Sequence, residues 1–134
     1  MLKTDVTTKV PQIAFHLSSV PASSVSTDSW KPLGADLQLK PEKIWIGTNL
    51  NGSNTAVSSV SVVPSTVSTT TPPTITFNYV GALPGMGMGA TSLKVVVALR
   101  PESGSAPPKD STQRCVIVET LLGSMRAARG SNCN

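Results

Sequence analysis

Two stretches decide the fold: Leu93-Lys94-Val95-Val96-Val97-Ala98-Leu99 and Cys115-Val116-Ile117-Val118. Both are short, apolar and rich in β-branched residues, whose stiff side chains suit a pleated surface better than a helix. Neither has the three-to-four spacing of an amphipathic helix, so both predict buried strands. Outward from them, Thr74-Ile75-Thr76-Phe77-Asn78-Tyr79-Val80 alternates cleanly, with Ile75, Phe77 and Tyr79 on one parity, and reads as the clearest strand of all. Val57 to Val63 alternates in part. Leu37-Gln38-Leu39 and Ile44-Trp45-Ile46 form two short runs around Pro41, and residues 12–17 form another behind Pro11. Helix signals are nearly absent. Only Thr120 to Ala128 has winding potential, and Gly123 interrupts it, giving strand, turn, strand. The prediction is a mainly β chain with antiparallel sheets of about six to eight short strands.

With 134 residues the chain suits one domain, since two would each be marginal. Charged residues supply only 13% of it, against the quarter usual for a soluble domain. Ser and Thr take their place, as in many β-rich secreted proteins. A hydrophobic content of 39% supports a core and argues against disorder of the whole chain. The formal net charge of +4 is too small and scattered to argue for nucleic acid by itself. The exception is the C-terminal end, where Arg114, Arg126 and Arg129 gather with Glu119 as the only acid.

Three loops punctuate the strands. The Asn51-Gly52 step tolerates the positive φ of a tight turn, and Pro84 to Ala90 is rich in glycine. Residues 64–73 lack core formers and are expected to form a mobile loop. No apolar run approaches the length of a membrane span, and no signal peptide opens the chain.

Cys115 and Cys133 are the two cysteines. In so charge-poor and hydroxyl-rich a chain they favour one disulfide formed in an oxidising compartment, worth roughly 3 kcal/mol on the chain-entropy model. Two free thiols in a cytosolic protein are the alternative. Metal binding is disfavoured, because zinc asks for four ligands and His16, the single histidine, is far away in sequence.

Other chemistry-bearing residues have bland readings. His16 alone builds no Ser-His-Asp set. The spacing of Asp28, Asp36 and Glu42 does not demand a carboxylate pair. Met86 and Met88 are two thioethers without a further soft ligand, an incomplete copper site. Trp30 and Trp45 suit core anchors better than a glycan platform. Asn51-Gly52-Ser53 matches a glycosylation sequon, a match that carries no weight by itself. No enzyme activity, cofactor or metal is expected.

The second half carries an ordered set: Ile75-x-Phe77-x-Tyr79 ending in Gly81, a hairpin through Leu93–Leu99, then Arg114 to Val118, then Leu121-Leu122-Gly123-Ser124-Met125-Arg126, then Cys133. Over residues 74–134 this order resembles the C-terminal domain of the GspH/FimT family, the minor pseudopilins of type II secretion and minor pilins of type IV pili. The cysteine inside the final strand, the Leu-Leu-Gly and the closing cysteine look most like its cyanobacterial pilin-like members. Residues 10–50 match only in style. The resemblance implies an α+β pilin fold whose long N-terminal helix anchors the subunit in the membrane and builds the filament core. That helix is not in this sequence. The expectation is a shortened chain: the soluble, extracytoplasmic head, with residues 1–10 a flexible remnant after the missing helix. Some apolar sheet surface is then expected to be exposed, or covered by residues 1–10.

The same resemblance implies a structural role, as a minor pilin or pseudopilin whose partners are other pilin subunits. In the family's DNA-uptake branch a Gly-Arg-x-Arg turn contacts phosphates. Gly123 and Arg126 fall on that pattern, Ser124 replaces its first arginine, Arg129 is close enough to compensate, and Arg114 is a candidate neighbour of it across the strands. Arg114, Gly123, Arg126 and Arg129 are therefore candidate contacts to DNA or to a neighbouring subunit, with the subunit contact favoured. A DNA-capturing minor pilin is one rival. The other is a β-sandwich adhesin or carbohydrate-binding module unrelated to pilins, closed on both sheet faces where a pilin head without its helix is open on one.

Overall fold

The computed structural model describes residues 1–5, 7–8, 10–16, 24–34, 40–62, 73–85, 91–100, 108, 110–119 and 122–134. Eight strands appear among them: β1 (Leu2–Thr4), β2 (Pro11–Ile13), β3 (Lys31–Pro32), β4 (Ile44–Leu50), β5 (Ala56–Val62), β6 (Leu93–Leu99), β7 (Arg114–Val118) and β8 (Met125–Arg129). β1, β2 and β3 make a small sheet in that order, and the others a five-stranded sheet of order β5-β4-β6-β7-β8. Every pairing is antiparallel. No helix of seven or more residues is present among the described residues, so the chain is mainly β.

Alternation explains the apolar run of β6, which only Lys94 interrupts. Along it, Leu93, Val95, Val97 and Leu99 point to one face of the large sheet, and Val96 and Ala98 to the other. Both faces have cover, so both parities are apolar. On the first face Leu2, Ile13 and Leu33 of the small sheet and its flank pack on Ile46 and Val95. Further along, Leu83 and Ile75 pack on Leu50, Leu93 and Val118. The second face holds Val96, Cys115 and Ile117 beneath Cys133, with Trp45, Val60 and Ala128 around them. A short 3-10 turn at Gly130–Cys133 brings the C-terminal segment over this face. The Cys115–Cys133 disulfide fastens it, with the Cα atoms 5.7 Å apart.

Three expectations from sequence meet different outcomes. The alternating stretch 74–80 is not a strand. Thr74 makes an isolated bridge to Ser53, and the chain then turns, with Asn78 accepting from the amides of Val80 and Ala82 through its side-chain oxygen. The physical reason is that a side chain takes the place of the neighbouring strand. Asn54 accepts from the Thr76 amide at 2.8 Å and donates to the Thr76 and Pro84 carbonyls at 2.8 and 2.9 Å. High β propensity without a backbone partner does not make a ladder. Secondly, within the segment expected as a flexible remnant, residues 2–4 form β1. Leu2 is buried there against Ile46, so part of residues 1–10 does cover the large sheet. Thirdly, Leu37–Leu39 and residues 64–72 of the expected mobile loop lie outside the described residues. Pro73 is buried, and its carbonyl accepts from the Leu2 amide.

Gly47 sits where the Trp45 ring folds back across β4. A Cβ added at Gly47 would lie 2.2 and 2.6 Å from two ring carbons of Trp45. Gly47→Ala therefore has to displace an indole from the second-face core. We expect a loss of about 1–3 kcal/mol, the usual range for overpacking, read as a lower urea midpoint at unchanged slope.

Candidate interaction site on the last two strands

The β7–β8 hairpin carries the residues that sequence reading singled out. Gly123 has φ of 72°, a left-handed conformation that glycine adopts without strain, and it lets the chain reverse before β8. The Phe77 ring caps this turn, its edge 3.2 Å from where a Cβ at Gly123 would stand. The Glu119 amide donates to the Ser124 carbonyl at 2.9 Å and closes the hairpin.

Register then distributes the arginines. Arg114 is directly opposite Arg129, and Ile117 is opposite Arg126. Arg114 and Arg129 thus share the first face with Val116, Met125 and Ala127, while Arg126 projects from the second. Arg126 forms an ion pair there with Glu119, both side chains being about half exposed. The Arg114 guanidinium turns towards its own backbone, donating to the carbonyls of Gln113 at 2.8 Å and Ser111 at 3.3 Å. The structure therefore brings Arg114 and Arg129 together and sets Arg126 apart.

Sequence reading did not single out the apolar surface beside this pair. The small sheet and the 73–83 segment cover only part of the first face. Beyond them Leu99 is 64% exposed, Val116 44% and Met125 63%, with Ala127 exposed between the last two rows. Phe77, Tyr79, Val80 and Leu122 are exposed around the Gly123 turn. The signal was present in the sequence: 114, 116 and 118 share parity, as do 125, 127 and 129. It became readable only with the register, because a one-residue slip would send every one of these side chains to the opposite face.

Among the described residues the remaining candidates assemble no second site. Trp30 is buried beneath the Lys3 ammonium, which lies 4.2 Å from its ring centroid. Trp45 is a core residue, and both cysteines are oxidised. His16 is half-buried just beyond β2. Asp36, Met86 and Met88 lie outside the described residues. No cluster of three or more metal-ligating side chains occurs among the described residues, and none of their helices is long and apolar enough to cross a membrane.

Comparison of the chain with models of known families, with curated proteins and with solved structures found no match. What the site can do rests on its own chemistry. Two exposed arginines at facing positions on one sheet face suit a carboxylate or phosphate, and the apolar rows beside them suit a protein.

Proposed function

We propose that this chain is the β head of a minor pilin or pseudopilin, a structural subunit of a type IV pilus or type II secretion filament that works by assembly rather than turnover. The observation that carries the reading is the half-covered first face of the large sheet. Its uncovered rows, Leu99, Val116, Met125 and Ala127, are apolar enough to be buried by another element, as the resemblance of residues 74–134 leads one to expect. The free-standing adhesin or carbohydrate-binding module is disfavoured by the same feature. The disulfide supports an extracytoplasmic site of action, because such bonds persist in oxidising compartments. In this reading the membrane anchor and the filament contacts belong to a helix outside this sequence, and the partners are other pilin subunits.

Complementation tests it. Deleting the gene in the producing organism should reduce surface filaments or secretion, the native gene should restore them, and Val116→Glu with Met125→Glu should not. Undiminished filaments and secretion in the deletion strain would contradict the reading.

A DNA-capturing role is the second reading, favoured by the exposed Arg114–Arg129 pair on one face. It loses Arg126, which faces the other way and is paired with Glu119. Two arginines give weak and strongly salt-dependent phosphate binding.

A further inference from the structure

We infer that β8 is a docking edge for an extended acidic segment of another protein, which adds to the large sheet as a sixth strand. The inference stands on the hairpin alone and does not rest on the filament reading.

The backbone of β8 is the first observation. The Glu119 amide bonds to Ser124, and the Gly130 amide to Gln113 at 3.2 Å. In an antiparallel ladder hydrogen-bonded pairs recur every second residue, so Ser124, Arg126, Ala128 and Gly130 turn their peptide groups towards β7. Met125, Ala127 and Arg129 then turn theirs outward, along the edge of the sheet. A row of outward N–H and C=O groups at alternate residues is what an incoming strand pairs with.

The side chains specify the strand. Arg114 and Arg129 face each other at a non-hydrogen-bonded position, where Cα atoms approach to about 4.5 Å. Like charges placed directly opposite destabilise a sheet, and a carboxylate from a third strand would convert that cost into attraction. Met125 and Ala127 lie on the same face at the next two alternate positions and present apolar surface. The matching segment therefore has an acid and two apolar residues at alternate positions, with polar residues between them. Charge on an edge strand often serves only to repel other strands. Of the two arginines on β8, Arg126 is already neutralised by Glu119, which leaves Arg129, beside Arg114, to select for acid.

The test uses fluorescent, end-capped peptides, Glu-Thr-Val-Thr-Val and the reversed Val-Thr-Val-Thr-Glu, so that either strand direction is sampled. Lysine replaces glutamate in the controls, and a short DNA duplex is run in parallel. Ala127→Pro is the informative variant. Its ring removes an N–H that points outward, sparing the ladder to β7, as proline does on edge strands. At physiological salt one acidic peptide should bind. Ala127→Pro should weaken it about tenfold, equivalent to about 1.4 kcal/mol, and Arg129→Ala by a similar factor. Hydrogen exchange of the native protein supplies a readout independent of the variants: the Ala127 and Arg129 amides should slow when peptide is added. The inference is overturned by equal binding to Ala127→Pro with unslowed amides, by lysine peptides that bind as well as acidic ones, or by a site that takes only the duplex. The last result, abolished by Arg114→Ala with Arg129→Ala, would promote DNA capture instead.

Discussion

Replacing Cys115 and Cys133 together by Ser is expected to lower the unfolding free energy by about 3 kcal/mol. The bond spans 18 residues of sequence, and on the chain-entropy model a loop of that size restricts the unfolded chain by this amount. The folded state adds to the loss. Cys133 is fully buried over Val96, Cys115 and Ile117, and two serine hydroxyls in that cluster would lose water without an evident partner. Beyond the disulfide the C-terminal turn is held by exposed polar contacts, from the Lys94 ammonium to an Asn134 oxygen and from the Asn134 side-chain amide to Asp110, so its release would also wet Val96 and Ile117. Urea titration of the native protein and the double variant checks the effect. A difference below about 1 kcal/mol would mean that packing alone retains the C-terminal segment.

Leu93→Ala should cost about 2–5 kcal/mol, while Leu99→Ala should cost less than about 0.5 kcal/mol. The two leucines belong to the same strand and the same face, six residues apart, which isolates burial as the variable. Leu93 is 1% exposed between Leu50, Leu83 and Val118, where truncation leaves a cavity that the surrounding strands cannot close. Leu99 is 64% exposed on the uncovered part of the face, where truncation leaves only water in its place. Parallel denaturant curves for the two variants measure the contrast. Comparable losses would show that the far end of the first face is covered, and would remove the observation on which the filament reading stands.

β6 and β7 were legible in the sequence because each holds a consecutive apolar, β-branched run, at 95–99 and 115–118, which suits a strand whichever face is covered. The turn at Gly123 was legible too, since a glycine between two short β-favouring runs has few other uses. The stretch 74–80 misled for a specific reason. Its alternation is real, yet the partner of Thr76 is the side-chain amide of Asn54, and no local pattern announces a side chain acting as a strand. The candidate site was half legible. Arg126 and Arg129 are three residues apart, so in any strand they face opposite ways, and proximity in sequence was the wrong guide to their cooperation. That Arg114 neighbours Arg129 across the strands was raised from sequence, and the register that the hairpin turn sets makes the two direct partners. The exposed rows of Val116 and Met125 needed the tertiary cover to be known, because an apolar residue in a strand is ordinarily read as core.

The most direct measurement is immunoblotting of filaments sheared from the surface of the producing organism and purified away from membranes, using antibody raised against this chain. A filament subunit should be found in that fraction, at substoichiometric level beside the major subunit, and should disappear from it in a strain lacking the filament's assembly ATPase. A chain confined to soluble extracytoplasmic material, with filaments free of it, would contradict the pilin reading and leave an independent β domain with an open sheet face.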